Sequence, residues 1–240
     1  MFSYYGSKSK IVDRYPSPKY DKIIEPFAGS ARYALKYFDR DVLLVDKYQV
    51  IVDVWHYLQQ ASEADILGLP KMKRGDKVSN YKHLSTAETY LLGFLVTGGV
   101  ESPRDNVASF DGVNVEKDLR RISKNIYKIR HWDIRLGSYD EIENEDATWF
   151  IDPPYQHGGK YYKEPSTALN FSKLSEWCVS RKGQSIVCEN TKADWLPFYP
   201  MRSMSGSLHT TTEAIWSNLP HDFQARQPSL LPLDNGGRIE

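Results

Sequence analysis

Short apolar runs rich in β-branched residues recur along this chain and alternate with helical patterns. The sequence predicts strands at residues 21–27, 41–46, 134–139, 147–152 and 184–190. The second run, DVLLVD, holds four consecutive apolar residues, which is typical of a parallel strand covered on both faces. Helical patterns follow three of the runs, at residues 32–38, 49–60 and 171–181. This alternation predicts βαβ units and a doubly wound, mostly parallel sheet.

The stretch from residue 63 to residue 130 interrupts the alternation. It contains a basic segment at 70–77, a helical pattern at 87–96 and a basic pattern at 114–132 that reads as one long helix. The apolar stripe of that last helix is Leu119, Ile122, Ile126 and Ile129. We interpret the stretch as a small, mainly helical insertion or lid. Residues 1–62 and 131–240 then form the main α/β domain.

Composition and charge exclude several classes of protein. The chain has 31 Lys and Arg against 31 Asp and Glu, a balance that argues against a polyanion coat but allows a local basic groove. No apolar stretch approaches the roughly 18–20 residues that span a bilayer, and the first residues lack the apolar core of a signal peptide. Cys178 and Cys188 have no metal-type spacing. We therefore expect a cytoplasmic protein, a monomer by default, with no membrane contact and no metal.

Two features at the predicted strand ends suggest a ligand. EPFAGSA (25–31) turns from a strand into a helix through small residues, which let a ligand approach backbone N–H groups. Asp46 ends the next strand, where a carboxylate can accept hydrogen bonds from both hydroxyls of a ribose. Taken singly, an ordinary turn and a helix N-cap explain them equally well. Together, and without the G-x-G-x-x-G pattern of pyrophosphate binding, they favour an adenosine-bearing ligand such as S-adenosylmethionine.

The segment TWFIDPPYQ (148–156) ends a predicted strand in two prolines. Pro153 forces Asp152 into an extended conformation, and neither Pro153 nor Pro154 has an N–H that could occupy nearby carbonyls. The result is a rigid set of acceptors beside the ring of Tyr155. This arrangement suits an exocyclic amine on a flat heterocycle, with its N–H groups bonded and its ring stacked on Tyr155. A strand stop alone explains the prolines but not the aspartate and the tyrosine.

Four segments in this order carry a family resemblance. They are YYGSK (4–8), EPFAGSA (25–31), LLVD (43–46) and DPPY (152–155), of which DPPY is the most specific. The chain resembles the Dam-like, alpha-group DNA adenine-N(6) methyltransferases. CEN (188–190) and TEAIWSN (212–218) resemble closing segments of that family. Ala31 stands in place of a second glycine and Ser138 in place of an aspartate, and the target-recognition region is reduced to the insertion.

The resemblance implies a Rossmann-like, S-adenosylmethionine-dependent methyltransferase fold. It also implies methyl transfer to the 6-amino group of an adenine that is flipped out of double-stranded DNA. The implied catalytic residues are Asp152, Pro153, Pro154 and Tyr155. The implied cofactor contacts are Tyr4, Lys8, Phe27, Ala28, Gly29, Ser30, Asp46, Ser138, Tyr139 and Asp152. Such enzymes act in bacteria or phage-infected hosts, in restriction-modification or phage-type roles.

Contacts to DNA phosphates require lysine and arginine. The candidates are Lys8, Lys71, Lys73, Arg74, Arg120, Arg121, Lys124, Lys128 and Arg130. For any one of them a solvated helix surface is the alternative explanation. Other substrates with a comparable amine also stay open, namely RNA adenine, the N(4) amine of cytosine and a protein amide. So does a non-catalytic nucleic-acid-binding relative. No cysteine lies next to a proline, which argues against methyl transfer to cytosine C5.

Overall fold

A computed structural model describes residues 1–109, 113–205 and 210–220. Within these residues seven strands form one sheet. They are β1 (Lys22–Glu25), β2 (Asp41–Asp46), β3 (Asp133–Leu136), β4 (Ala147–Ile151), β5 (Gly183–Asn190), β6 (Tyr199–Ser205) and β7 (Thr210–Ser217). Their order is β3-β2-β1-β4-β5-β7-β6, with β1 to β5 parallel and β7 antiparallel to both its neighbours. The expected doubly wound, mostly parallel sheet of Rossmann-like type is confirmed.

Helices cover both faces of the sheet. They are α1 (Arg32–Lys36), α2 (Gln49–Gln60), α3 (Glu63–Gly68), α4 (Thr86–Leu95), α5 (Val115–Ser123) and α6 (Phe171–Val179). Leu44 of β2 belongs to the core that contains buried residues of α1 to α5, whereas Leu43 belongs to the core under α6. Because successive side chains of a strand point to opposite faces, a strand covered on both faces has no polar side. This explains the uninterrupted apolar run of β2.

The single long helix expected at residues 114–132 was wrong. Helix α5 ends at Ser123, and a separate 3₁₀ turn covers Ile126–Ile129. The side-chain amide of Asn125 donates to the carbonyl of Arg121, and its main-chain N–H bonds to the carbonyl of Ile122. Asparagine competes in this way with the regular helical hydrogen bonds, so the helix stops there. The expected apolar stripe, Leu119, Ile122, Ile126 and Ile129, is nevertheless buried throughout.

The hairpin of β6 and β7 was not expected as strands. β7 lies between β5 and β6, although it is the last of the described strands. Two features explain why the sequence pattern did not predict these strands. Pro200 and Arg202 flank an irregularity in the pairing of β6, and β7 carries the charged Glu213 at a buried position. A buried glutamate within a strand breaks the apolar pattern on which strand prediction depends.

The stretch between β2 and β3 packs on the same core as the amino-terminal residues. Ile66 of α3, Leu92 of α4 and Leu119 of α5 are buried in one cluster with Phe2 and Trp55. The division into a main domain and an insertion therefore stays a prediction. The longest helix of the described residues, α2, has 12 residues, and none of the described helices is long and apolar enough to cross a membrane.

Candidate active site

A cavity of about 300 Å³ opens at the carboxyl edge of the central strands. The turns after β1, β2 and β4 meet there, next to the point where the strand order reverses, as expected for an open α/β sheet. All ten candidate cofactor residues line this cavity, namely Tyr4, Lys8, Phe27, Ala28, Gly29, Ser30, Asp46, Ser138, Tyr139 and Asp152. Of the catalytic candidates, Asp152 and Pro154 line it, whereas Pro153 and Tyr155 are not among its lining residues.

The turn after β1 depends on a glycine. Gly29 has a φ of +45°, and a Cβ there would lie 3.1 Å from Cδ1 of Tyr4. The missing side chain therefore lets the ring of Tyr4 pack closely on the turn. The indole N–H of buried Trp55 donates to the carbonyl of Gly29 at 2.9 Å and holds the turn from behind. Ala31 also adopts a left-handed conformation, with a φ of +44°, at the position where the resembled motif has glycine.

Asp46 receives a hydrogen bond on each carboxylate oxygen. The N–H of Gly29 donates to Oδ2 and the N–H of Tyr48, just before α2, donates to Oδ1, both at 2.9 Å. Burial raises the pKa of Asp46 to about 6, although the two N–H groups act in the opposite direction. Each carboxylate oxygen has room for a further hydrogen bond. The N-cap of α2 is Tyr48 and not Asp46, so the alternative explanation as a helix N-cap was wrong, although Asp46 bonds to the main chain of that residue and lines the cavity.

Aromatic and acidic residues after β3 form another wall. The rings of Phe27 and Tyr139 stack with centroids 5.4 Å apart and planes inclined by 27°. Ser138 begins a 3₁₀ turn, and its N–H donates to the carboxylate of Glu141 at 2.9 Å. Asp140 lines the cavity two residues after Ser138, where the resembled motif would place its acid at position 138 itself. Asp140 was missed because motif matching considers one fixed position only.

Asp152 forms an ion pair with Lys8. The Nζ atom of Lys8 lies 2.8 Å from Oδ1 of Asp152 and also donates to the carbonyl of Gly6 at 3.1 Å. Lys8 is only 5% exposed, whereas the side chain of Asp152 is 22% exposed towards the cavity. Burial raises the pKa of Asp152 to about 6, the ammonium of Lys8 opposes this rise, and the carboxylate of Glu213 adds to it. Burial lowers the pKa of Lys8, but the two carboxylates raise it by more.

Glu213 of β7 lies behind this pair and was not among the candidate residues. Its Oε1 accepts hydrogen bonds from the hydroxyls of Tyr155 and of Tyr15, the latter at 2.7 Å, and lies 3.7 Å from Nζ of Lys8. The same ammonium sits 4.7 Å from the centroid of the Tyr155 ring. Glu213 is 5% exposed. Its signal in the sequence was the charge at the second position of TEAIWSN, which only a three-dimensional structure assigns to the site.

The amino-terminal segment is fixed on the site from two sides. Ser7 accepts a hydrogen bond from Nε of Arg32 and bonds to the hydroxyl of Ser30, each at 3.1 Å. On the other side, the hydroxyl of Tyr162 donates to the carbonyl of Tyr5 at 3.3 Å. A Cβ on Gly6 would lie 2.1 Å from the Tyr162 hydroxyl. The loop after β4 therefore contacts the amino-terminal segment at the wall of the cavity.

Several basic candidates have partners within the protein. Lys8 is buried as described, so the structure gives no support to its expected phosphate contact. Arg120 pairs with Glu116, and Arg121 pairs with Asp118, each at 2.7 Å and each one turn apart on α5. Lys71 lies 3.6 Å from the same Glu116. These charges are partly neutralised on the surface, while Lys73, Arg74 and Lys124 are exposed.

Two further candidates lie away from the cavity. Nζ of Lys128 sits 4.8 Å from the centroid of Phe38, which lies just before β2 begins. Arg130 donates to the carbonyls of Gln59 and Ala61, where α2 ends. The start of β2 and the end of α2 mark the amino edge of the sheet, whereas the cavity is at the carboxyl edge. Lys128 and Arg130 are therefore poorly placed to bind the backbone of a substrate that enters the cavity.

Comparison with solved structures finds distant similarities. The rRNA methyltransferase AviRa of Streptomyces viridochromogenes is 11% identical, with a TM-score of 0.39 over 86% of this chain and 80% of that chain. HI0767 of Haemophilus influenzae, a candidate methylase, is 10% identical, with a TM-score of 0.35 over 83% and 87%. The candidate methyltransferase YhhF of Escherichia coli is 8% identical, with a TM-score of 0.33 over 87% and 78%. Neither protein-family models nor curated proteins match the sequence.

Proposed function

We propose that this protein transfers a methyl group from S-adenosylmethionine to an exocyclic amine, with the 6-amino group of adenine in DNA as the first candidate. The observation that carries the proposal is the position of Asp152. Its partly exposed carboxylate lines the same cavity as Gly29 and Asp46, the residues proposed to hold the adenosine of the donor. A strand stop would not require a carboxylate that faces a cavity of this kind.

The cavity fits the methyl donor in four respects. The turn after β1 lines it with the small residues 28–30, and Asp46 has acceptor capacity for ribose hydroxyls. Phe27 and Tyr139 offer aromatic surface to an adenine ring, and Asp140 offers an acceptor for its amino group. When bound, S-adenosylmethionine supplies an electrophilic methyl group on a positively charged sulfur. In this proposal the residues of the chain bind the donor, hold the amine and accept its proton.

The amine that receives the methyl group needs activation because its lone pair is delocalised into the ring. Asp152 accepts a hydrogen bond from the amine N–H, and a carbonyl of the Pro153–Pro154 segment accepts the other. These bonds draw the nitrogen towards tetrahedral geometry and free its lone pair. The lone pair forms the new C–N bond as the methyl–sulfur bond breaks, and that electron pair stays on sulfur. The carboxylate stabilises the positive charge that develops on nitrogen, and the surplus proton leaves to Asp152 or to water.

A DNA substrate requires that the adenine leave the duplex and that cations contact the backbone. The exposed residues Lys73 and Arg74 belong to a loop that connects to the cavity by main-chain hydrogen bonds. Val107 donates to the carbonyl of Asp76 in this loop at 3.3 Å. A few residues earlier, the carbonyl of Val100 accepts from the N–H of Tyr5, which lines the cavity, at 3.2 Å. This arrangement favours Lys73 and Arg74 over Lys128 and Arg130 as phosphate contacts.

The experiment is an incubation of the protein with methyl-labelled S-adenosylmethionine and, in parallel, unmethylated duplex DNA, single-stranded DNA and RNA. The nucleic acids are then digested to nucleosides, and the labelled nucleoside is identified by mass spectrometry. Label in N(6)-methyl-2′-deoxyadenosine from DNA supports the full proposal. Label in RNA adenine or in the N(4) amine of cytosine retains amine methylation but changes the substrate. Absence of label from every substrate, with a preparation that binds the donor, would contradict enzymatic activity on nucleic acid.

A further inference from the structure

Lys8 faces two carboxylates at once, and the proposed reaction uses only one of them. Its Nζ lies 2.8 Å from Asp152 and 3.7 Å from Glu213. Asp152 lines the cavity, whereas Glu213 is not among the lining residues and lies behind Lys8 and Tyr155. Burial of a carboxylate is costly unless it has charged or hydrogen-bonding partners. The burial of Glu213 next to the ion pair of Lys8 and Asp152 therefore suggests that its charge has a role in the site.

The hydrogen bonds of Glu213 fix two groups of the site. The hydroxyl of Tyr155 donates to Oε1 and sets the plane of the ring that follows Pro154. The ammonium of Lys8 lies over that ring, 4.7 Å from its centroid, and is drawn towards Oε1. Tyr15 donates to the same oxygen at 2.7 Å and holds the carboxylate from the other side. Glu213 thus ties the ring, the ammonium and, through Lys8, the acceptor Asp152 into one rigid group.

The geometry points to Glu213 as a positioning residue for methyl transfer, one that orients Lys8 and Tyr155 and adds negative charge behind Asp152. This inference depends on the proposed function. A negative charge at this depth acts through a medium of low effective dielectric constant, so it favours any cation that enters the cavity. Both the sulfonium donor and the amine that gains the methyl carry positive charge. Glu213 therefore favours the charged donor over its uncharged thioether product.

The test compares the dissociation constants of S-adenosylmethionine and S-adenosylhomocysteine by calorimetry. These ligands differ only in the methyl group and the positive charge. The ratio of their dissociation constants therefore reports on the electrostatic field and not on general damage to the site. Glu213→Gln keeps an oxygen acceptor for the tyrosines but removes the charge. We expect the donor to weaken relative to the product by about threefold or more, as a charge several ångströms away would cause. Methyl transfer should slow by about tenfold at saturating donor.

Two further variants separate charge from tethering. Tyr155→Phe removes a hydroxyl bond to Glu213 but keeps the charge, so it should slow transfer and leave the ratio of dissociation constants unchanged. Lys8→Met removes a positive charge, so it should shift the ratio in the opposite direction to Glu213→Gln. Thermal melting shows whether Glu213→Gln folds. If it does not, the Lys8→Met variant still tests the inference.

The outcomes distinguish this inference from the proposed function. If the wild-type protein binds the donor but methylates no amine, the proposed function fails, and the binding ratios still decide whether Glu213 supplies a field. If methyl transfer occurs but the ratio does not change in Glu213→Gln, or changes in the same direction in Lys8→Met, the electrostatic role is overturned. An unchanged transfer rate in Glu213→Gln overturns the positioning role.

Discussion

Nζ of Lys8 lies 2.8 Å from Oδ1 of Asp152 and links the amino-terminal segment to the end of β4. Within the described part of the chain, Oδ2 of Asp152 has no hydrogen-bond partner. The two oxygens thus have different environments, since one faces a cation and the other is available to an amine N–H. The ion pair holds the carboxylate in place and favours its ionised form, which is the stronger hydrogen-bond acceptor.

The first prediction concerns the pH dependence of methyl transfer in Lys8→Met. Ionised Asp152 is the stronger acceptor for the amine N–H and carries the charge that stabilises the methylated nitrogen, so wild-type activity should fall as the pH decreases through about 6, the pKa of this carboxyl. Lys8 lowers that pKa, so its removal should raise the pKa and move the acid limb of kcat/KM to higher pH. The exposed Lys10 provides the control, because Lys10→Met should leave the profile unchanged. An acid limb that stays in place in Lys8→Met would contradict the role of the ion pair.

The second prediction concerns the affinity for the methyl donor. Asp46→Ala removes the proposed acceptor for ribose hydroxyls, a loss of about 1–3 kcal/mol for hydrogen bonds to a charged group. The dissociation constant for S-adenosylmethionine, measured by calorimetry, should rise by about tenfold or more. Asp41→Ala, at the exposed start of the same strand, serves as the control and should bind as the wild type does. Equal affinities in the two variants would show that Asp46 only supports the start of α2.

The third prediction concerns backbone strain at Ala31. A non-glycine residue in the left-handed region costs about 1–2 kcal/mol, and a glycine at position 31 would avoid this cost. Glycine also raises the conformational entropy of the unfolded chain, so part of the gain in stability would be lost. Ala31→Gly should therefore raise the free energy of unfolding by up to about 1 kcal/mol. Ala34→Gly, at a buried and helical position of α1, should instead lower it. Denaturation in urea measures both. Destabilisation by both substitutions would show that the buried methyl group of Ala31 matters more than its backbone strain.

The fourth prediction concerns the basic residues. If DNA is the substrate, Lys73→Gln with Arg74→Gln should weaken DNA binding. The slope of log Kd against log salt concentration should also decrease by about one for each phosphate that the variant no longer neutralises. Lys128→Gln with Arg130→Gln changes charge equally but at the opposite edge of the sheet, so that control pair should leave the slope unchanged. A larger effect from the control pair would place the nucleic acid on the other side of the molecule.

The sequence predicted β1, β2, β4 and β5 well because these parallel strands are covered on both faces, whereas the largely exposed β3 ends at Leu136 and not at residue 139 as expected. The run of β2 was predicted with its observed bounds, as was α2, since periodicity is strong where burial is complete. The positions of Gly29, Asp46 and Asp152 on one cavity also followed from the rule that parallel strands end at a common edge. These are consequences of local pattern and topology, which a single sequence contains.

Other parts of the site depend on contacts between distant segments. Glu213 reaches Lys8 only because β7 pairs with β5, and no local sequence pattern predicts that pairing. The same applies to Tyr162, which meets Tyr5 across the cavity wall. The basic pattern after residue 114 was read as one helix because periodicity does not show the hydrogen bonds of Asn125 that end it. Charge alone likewise could not separate Lys73 from Lys128.

The central claim is that Asp152 accepts an amine for methylation, and single-turnover methyl transfer by Asp152→Asn tests it most directly. Asparagine preserves the shape and one acceptor oxygen but not the charge that stabilises the methylated nitrogen. The control is Asp133→Asn, an exposed carboxylate of β3 that pairs with Arg135. We predict a fall in rate of about a hundredfold or more for Asp152→Asn at saturating donor, and wild-type rates for the control. Equal rates for the wild type and Asp152→Asn would contradict the claim.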